Sequence, residues 1–429
     1  MMLTGQIFIQ LIVILLVVQV FGYLCKCIGQ PRVIGEILAG LALGPTLLGT
    51  ILPHVEATVF PNSTLPALQM LGDLGLVFYM FSLGTHIDTD TMLNQGRKAL
   101  VISLGSILLP LAMGGVLAFF LYPPFAGPMA NLASFVLLVG TAMAITAFPV
   151  LARLLEDRHM LTTRLGILAM FCAALDDVVG WCVLACVMAI IHASSATFVA
   201  ATLAFLALFI GIMLGVVRLL LLLAARHLQS KATLMALTVI VLLLSAAATN
   251  AIGIHPVFGA FMAGLVLPRK AVFFELIQSI EQLNNLLFLP LYFVYNGLLT
   301  HIGLINSPAL WLLCLVVLVV ACLGKFLGGA LPLQLFGASW KESFTLGTLM
   351  NTRGLVELIV LNIGLSLGVI SPTFFAMLVI MAVVTTMMTP PLLSLLGYRQ
   401  TNARAQQQEL ASSEKQSERT SNSESLENL

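Results

Sequence analysis

One pattern occurs twice in the sequence, first as Gly35-Glu-Ile-Leu-Ala-Gly-Leu-Ala-Leu-Gly-Pro45 and again as Gly259-Ala-Phe-Met-Ala-Gly-Leu-Val-Leu-Pro268. The two copies share a first Gly, an Ala-Gly-Leu triplet, a later Leu and a final Pro. Similarity of this kind also arises by chance between helices rich in Gly, Ala and Leu. If the copies are related, the protein contains an internal structural repeat, which is typical of secondary transporters.

The composition indicates that this repeat lies in a membrane protein. Of 429 residues, 60% are hydrophobic, and only 19 basic and 18 acidic side chains, 9% of the chain, carry charge. A soluble domain has about 25% charged residues, so this chain has too little polar surface to cover a water-soluble body. A soluble enzyme and a disordered regulator are therefore excluded. The net charge of +1 and the lack of a basic block exclude a nucleic-acid partner, and the expected partner is membrane lipid.

Segments long enough to cross a bilayer follow one another along most of the chain. A bilayer core of about 30 Å needs roughly 20 apolar residues of helix, which predicts an all-α membrane protein with about 13 transmembrane helices. The expected spans are 3–24, 32–52, 65–86, 97–121, 132–154, 162–192, 197–225, 231–252, 254–268, 281–301, 308–335, 341–366 and 371–396. Residues 1–398 then form one transmembrane domain, and residues 399–429 form a disordered cytoplasmic tail. Because this tail is too short for a nucleotide-binding domain, we expect any such regulation to come from a separate subunit.

The basic residues support this number of spans. With the N-terminus outside, 16 of the 19 Lys and Arg fall in cytoplasmic connections and the C-terminal tail, and the other three lie inside spans. The positive-inside rule requires this alternation. In this orientation, the two copies of the repeated pattern cross the membrane in opposite directions. This predicts inverted five-helix repeats at about 32–192 and 254–396. We expect an integral protein of a bacterial inner membrane with its C-terminus in the cytoplasm.

Two spans at matching positions of the repeats carry helix-breaking sequences. The fifth span contains Thr141-Ala-Met-Ala-Ile-Thr-Ala-Phe-Pro149, in which Pro removes a backbone donor and Thr141 and Thr146 offer hydroxyls to freed backbone groups. The twelfth contains Asn351-Thr-Arg-Gly-Leu-Val-Glu357. We expect two broken, crossing helices whose half-helix ends face each other in the membrane. Arg353 and Glu357 would neutralise the dipoles at those ends.

Two adjacent acids, Asp176 and Asp177, lie near the middle of the sixth span. Each costs roughly 2.5 to 3.5 kcal/mol at the centre of a membrane helix, so a functional role is favoured over a structural ion pair. Desolvation and mutual repulsion both disfavour their charged forms, so the pair can hold either protons or an alkali cation, the competition that an exchanger needs. Lys325 is the natural counter-charge. We predict an Asp176–Lys325 ion pair and Asp177 as the main ligand of the transported metal ion.

Two further acids leave alternatives open. Glu36 is either a solvated residue at the cytoplasmic end of the second span or part of a funnel leading to the site. Asp73 in the third span either lines a cavity or pairs with a neighbour. No His/Glu metal cluster and no Ser–Lys or Ser–His arrangement lies within the spans, so we expect neither an intramembrane enzyme nor a resident cofactor.

Four motifs together resemble the monovalent cation:proton antiporter-2 family, and the similarity covers residues 8–398. They are Ile145-Thr-Ala-Phe-Pro-Val-Leu-Ala-Arg-Leu154, Leu175-Asp-Asp-Val-Val-Gly180, the Asn351–Glu357 stretch and Gly368-Val-Ile-Ser-Pro-Thr373. The resemblance implies a homodimer with a dimerisation domain and a core domain, and an elevator-type movement that exchanges Na+ or K+ for H+. It implies Asp177 as the carrier of cation and proton, Asp176 paired with Lys325, and Thr146 beside the site.

The sequence also departs from parts of that family. Glutathione-gated potassium efflux members carry Gln-Asp at the acidic pair and a large nucleotide-binding domain, whereas this chain has Asp-Asp. Many members have a Glu in the third span where this chain reads Gly84-Thr-His86. The leading prediction is an antiporter that exchanges Na+ or K+ for H+. The alternatives are a sodium- or proton-coupled symporter of a small organic anion on the same type of fold and, less favoured, a gated cation channel.

Overall fold

The protein is helical throughout the part of the chain that the computed structural model describes, residues 3–86, 96–191, 196–227, 230–268 and 271–398. The helices are α1 (Leu3–Cys27), α2 (Arg32–Leu43), α3 (Leu48–Ile51), α4 (Pro53–Val59), α5 (Leu65–His86), α6 (Gly96–Phe125), α7 (Leu132–Ala144), α8 (Phe148–Asp157), α9 (Arg164–Ile191), α10 (Ala196–Ile212), α11 (Arg218–His227), α12 (Lys231–Ile252), α13 (Pro256–Leu265), α14 (Ala271–Leu283), α15 (Leu289–Leu298), α16 (Pro308–Leu335), α17 (Trp340–Met350), α18 (Leu355–Ser366) and α19 (Pro372–Leu395). Short π-helical turns, Met213–Val217 and Asn284–Phe288, join α10 to α11 and α14 to α15. The predicted tail, 399–429, lies outside the described residues.

The long helices confirm an all-α membrane protein. Within the described ranges, nine helical stretches are long and apolar enough to cross a bilayer, and three shorter apolar helices accompany them. The expected spans 132–154 and 341–366 are each divided into two helices, α7 with α8 and α17 with α18. Large apolar side chains such as Phe8, Leu16 and Phe120 are exposed on the outer surface, as expected of side chains that face lipid. The count of thirteen spans remains a prediction.

Helix–helix contacts divide the chain into two groups. In the first, α2 and α5 both pack on α15, α5 packs on α13, and α1 and α12 lie on the outer sides of α2 and α13. In the second, α6 packs on both α7 and α16, while α8, α9, α17, α18 and α19 complete the bundle. Contacts between the two groups are fewer. We call these the scaffold group and the site group, because the second contains Asp176, Asp177 and Lys325.

Glycines allow the backbones within each group to touch. A Cβ atom on Gly40 of α2 would lie 2.5 Å from the carbonyl oxygen of Val294 in α15, and one on Gly297 would lie 2.4 Å from the backbone of Gly40. In the site group, a Cβ on Gly328 would lie 2.7 Å from the carbonyl oxygen of Gly105. Small residues favour such close helix packing in membranes. The last contact brings α16, which carries Lys325, against α6.

Candidate functional site

Two breaks between helices lie directly against each other. We call residues 145–147, between α7 and α8, the first interruption, and residues 351–354, between α17 and α18, the second interruption. α7 ends at Ala144 and α8 begins at Phe148, while α17 ends at Met350 and α18 begins at Leu355. Between them, the backbone N–H of Ala147 donates to the carbonyl of Thr352 at 2.9 Å. Gly354 has a φ of +153°, which strains residues with a Cβ. The two non-helical segments are buried there, and each satisfies part of the other's backbone.

Arg353 caps the carboxyl end of α7. Its two terminal nitrogens donate to the carbonyls of Ala142 and Met143, both at 2.8 Å, and the guanidinium is buried. A positive charge is stabilising where unpaired carbonyls end a helix. Nη1 also lies 3.5 Å from Oε1 of Glu357 in the first turn of α18. One side chain thus neutralises a helix end of the first interruption and a carboxylate of the second.

Asp176 lies in a cage of donors. Its Oδ2 lies 2.6 Å from Lys325 Nζ and accepts from the hydroxyls of Thr146 at 2.7 Å and Ser106 at 3.4 Å. Its Oδ1 accepts from the Ser103 hydroxyl at 3.2 Å. The side chains of Asp176 and Lys325 are fully buried. A buried carboxylate requires such compensation, and four donors supply it here.

Asp177 differs from its neighbour. It is 5% exposed, and neither carboxylate oxygen has a hydrogen-bond partner among the residues that the structure describes. Leaving a buried carboxylate unpaired is costly. Its two oxygens are hard ligands of the kind that cations such as Mg2+ and Ca2+ prefer, and they also accept protons. Asp177 is therefore the open half of the acidic pair.

A third set of polar contacts joins the site group to the scaffold group. Arg153 of α8 donates to Oδ1 of Asn285 at 2.9 Å, and its guanidinium carbon lies 5.3 Å from the centre of the Tyr79 ring. Asn362 of α18 also donates to the side-chain oxygen of Asn296 in α15. The boundary between the two groups therefore includes polar side-chain contacts, whereas the glycine contacts within each group bring backbones together.

Comparison with known proteins decides the family. A family of transmembrane sodium/hydrogen exchangers matches residues 12–396. The chain belongs to the sodium/hydrogen exchanger family. This confirms the predicted resemblance and the predicted class, a cation:proton antiporter and not an enzyme. The alternative symporter and channel functions are set aside.

Individual relatives agree with this family. The exchanger is 39% identical to the Na+/H+ antiporter NhaS4 of Synechocystis over 89% of this chain and 95% of that protein. It is 39% identical to cation/H+ antiporter 18 of Arabidopsis thaliana and 32% identical to K+/H+ antiporter 1 of Saccharomyces cerevisiae, and it spans about half the length of each, 48% and 46%. The sodium/proton antiporter MjNhaP1 of Methanocaldococcus jannaschii has the same fold, with a TM-score of 0.68 at 17% identity over 93% of this chain and 98% of that one.

The exchanger brings some of the predicted site residues together and leaves others apart. Thr146 contacts Asp176 and also lies 3.0 Å from the carbonyl oxygen of Met350, where the second interruption begins. Thr141 does not reach the site: its hydroxyl donates to the carbonyl of Leu137, within α7. Asn351 donates to the sulfur of Cys322 at 3.6 Å, and its side-chain oxygen is buried without a partner in the described chain.

Glu36 and Asp73 are placed differently from each other. The prediction of a solvated end for Glu36 is wrong, because its carboxylate is fully buried and lies 3.4 Å from Nε of Arg32. Arg153 also interacts with it electrostatically, so Glu36 lies near the boundary between the two groups. Asp73 is partly exposed on α5, close enough to Tyr292 and Tyr295 to interact with both electrostatically.

Sequence reasoning missed the two serines of α6. Ser103 and Ser106 are separated by three residues, so both point to the same side of the helix, toward Asp176. A serine pair at this spacing within an apolar helix was the available signal. Ser339 and Glu342 form a capping box at the start of α17.

Proposed function

We propose that the protein exchanges one monovalent cation, Na+ or K+, for protons, and that Asp177 carries each of them in turn. The observation that supports this most strongly is the asymmetry of the acidic pair: Asp176 has four donors, whereas Asp177 has none among the described residues. Asp176 is held as the partner of Lys325. Asp177 is left to bind the cargo.

The net charge of the site gives a reason for the cation and the proton to alternate. Asp176 and Lys325 together are neutral, so the site carries one negative charge when Asp177 is empty. A proton or a cation on Asp177 neutralises it, and binding both would place a net positive charge in a low-dielectric region. Movement of the site across the membrane with Asp177 empty is also disfavoured, because the site then carries a net negative charge in the same low-dielectric region. The cargo that occupies Asp177 on one side is therefore exchanged for the other cargo on the opposite side.

Alternating access is proposed to occur by movement of the site group against the scaffold group. The contacts between them are fewer than those within them, and several are polar. The two interruptions are tied to each other by Arg353 and by the hydrogen bond from Ala147 to Thr352. They would move as one unit and carry Asp177 with them.

The proposal includes inverted repeats, and matched glycine contacts support them. Gly40 and Gly264 occupy the same position of the repeated pattern, and a Cβ on Gly264 would lie 1.9 Å from the carbonyl oxygen of Phe81. Thus α2 packs on α15 through one glycine, and α13 packs on α5 through its counterpart. The first glycines of the pattern behave alike: Gly35 packs on the backbone of α1 and Gly259 on that of α12. Pairs of helices exchanged in this way are expected of two repeats of opposite orientation.

Further parts of the proposal rest on the sequence and on the family. They are about thirteen spans, an N-terminus outside and a C-terminus in the cytoplasm, a bacterial inner membrane, and a homodimer. The positive-inside distribution supports the orientation. A separate regulatory subunit is a further proposal.

Inside-out vesicles with an imposed proton gradient test the proposal. Addition of Na+ or K+ is expected to collapse the gradient, and Asp177→Asn is expected to abolish that response. Glu275→Gln, at an exposed residue of α14 that pairs with Lys231, is the matched control and keeps it. An Asp177→Asn protein that is folded in the membrane and still exchanges either cation for protons would overturn the assignment.

A further inference from the structure

Helix α6 contains a proline one turn after Ser106. Pro110 lies inside this helix, and proline has no backbone N–H. The usual bond from the N–H of residue 110 to the carbonyl of Ser106 therefore cannot form. That carbonyl accepts instead from Lys325 Nζ, at 3.1 Å.

The ammonium of Lys325 has three donors, and three acceptors surround it. They are Asp176 Oδ2 at 2.6 Å, the carbonyl oxygen of Ser106 at 3.1 Å and the hydroxyl oxygen of Ser106 at 3.1 Å. Two of the three therefore come from one residue of α6. The proline also sets the distance between the helices, because a Cβ on Gly324, next to Lys325, would lie 2.9 Å from Cα of Pro110.

We propose that Pro110 is a positioning residue for Lys325: by leaving the Ser106 carbonyl free, it supplies the acceptor that holds the lysine charged beside Asp176. A carbonyl dipole is worth more here than at a surface, because the site is buried and little solvent competes for it. The inference rests on the proposed function, in which Lys325 keeps Asp176 from acting as a second carrier.

The same arrangement occurs at a second proline of the site group. Pro391 lies inside α19, and the carbonyl four residues earlier, that of Met387, cannot receive its usual helical bond. It accepts from the side-chain amide of Gln30 at 3.0 Å. At both positions, a carbonyl freed by proline thus binds a side chain from a distant part of the chain.

Other charged and titratable groups also face Lys325, and the test must leave them in place. They are Asp176, Asp177 and Cys172 of α9, and Arg353 and Glu357 at the second interruption. Replacement of Pro110 by Ala touches none of them. It restores an N–H that competes with Lys325 for the Ser106 carbonyl, so the charged lysine loses stabilisation.

The test compares Pro110→Ala with Pro123→Ala in vesicles that contain the protein. Pro123 lies in the same helix as Pro110, more than three helical turns further along it. In Pro110→Ala, the alkaline limb of the pH profile of exchange is expected to move to lower pH by about one unit. A shift of this size corresponds in free energy to the partial loss of a hydrogen bond to a charged group. Pro123→Ala should keep the wild-type profile. Equal profiles for the two folded variants would overturn the inference.

A backbone ester gives a second test that keeps Pro110. An ester linkage introduced at Ile107 weakens the Ser106 carbonyl as an acceptor, and the matched ester at Phe120 weakens the carbonyl that Pro123 frees. The first is expected to shift the profile in the same direction as Pro110→Ala, and the second is not. An unshifted profile for the Ile107 ester contradicts the inference even if Pro110→Ala fails to fold. Asp177→Asn in the same assay reports separately on the proposed carrier, since its activity does not depend on the outcome at Pro110.

Discussion

The Thr146 hydroxyl lies 2.7 Å from Oδ2 of Asp176, so a residue of the first interruption contacts the acidic pair directly. Thr146→Val keeps the size of the side chain and removes this donor. Leaving a buried acceptor unsatisfied costs about 1–3 kcal/mol, so we expect a loss of roughly tenfold in exchange rate at subsaturating cation. Thr146→Ser keeps the hydroxyl and should retain most of the rate. Equal rates in the Val and Ser variants would contradict a role for this hydrogen bond.

The ion pair between Asp176 and Lys325 can be tested by stability. Removal of one partner of a buried pair costs about 3–5 kcal/mol, whereas replacement of both by apolar residues is often neutral. We expect Asp176→Leu and Lys325→Met each to lower the melting temperature, and the double variant to recover most of the loss. Thermal unfolding in detergent, followed by fluorescence, measures this. A double variant that loses the sum of both single effects would show that the two side chains are not coupled.

Loss of Lys325 should also change the response to pH. Without the ammonium, the two carboxylates face less positive charge, so protons are held more tightly. The pH at which exchange begins is therefore expected to rise in Lys325→Ala. Lys341→Ala, which changes a lysine at the start of α17, is the control and should leave that pH unchanged. An unaltered pH profile in Lys325→Ala would argue against the ion pair.

The proposed competition at Asp177 predicts how the apparent affinity for the cation depends on pH. When the site is mostly protonated, each unit of lower pH is expected to raise the apparent KM for the cation about tenfold, because one proton must leave for one cation to bind. At higher pH the KM should level off, and the maximal rate should change less than the KM. Rates measured at several cation concentrations between pH 6 and 9 test this. A KM independent of pH would exclude a shared site.

Arg353 should tolerate no substitution well. Arg353→Ala leaves the carbonyls of Ala142 and Met143 without their donor and Glu357 without its counter-charge. We expect destabilisation of about 3–5 kcal/mol, seen as a low yield of folded protein. Arg353→Lys keeps the charge but not the fork that reaches both carbonyls, and should lie in between. If Glu357→Gln raises the yield in the Arg353→Ala background, the unpaired carboxylate accounts for part of the loss.

The sequence predicted those parts of the candidate site that carry charges which are costly to place inside a membrane. Asp176, Asp177 and Lys325 are conspicuous because few charges lie deep in an apolar chain, and the breaks near Thr146 and Gly354 follow from backbone chemistry. The structure brings Asp176, Lys325 and Thr146 into one cluster. The role of each residue there remains a proposal.

The parts that the sequence did not predict are those where the signal is local and weak. Serine is nearly neutral in a membrane helix, since its hydroxyl can bond to its own backbone, so Ser103 and Ser106 did not stand out. Thr141 shows the converse: a polar residue beside a break that bonds only within its own helix. Glu36 is buried and interacts electrostatically with Arg153, which is far away in the sequence, and no local pattern can indicate either fact.

The glycine contacts between α2 and α15 separate two kinds of defect that a variant of this protein can have. Any side chain added at Gly40 or Gly297 meets backbone that has no room to move, so such a change reduces how many molecules reach the membrane intact. Arg153 and Asn362 lie instead where one group of helices meets the other, and if the groups move as proposed, a change there is expected to alter how often each intact molecule completes its cycle. The amount of folded protein and the turnover of each molecule are thus encoded in different residues. A low exchange activity measured in cells must therefore be divided by the amount of folded protein before it reports on transport.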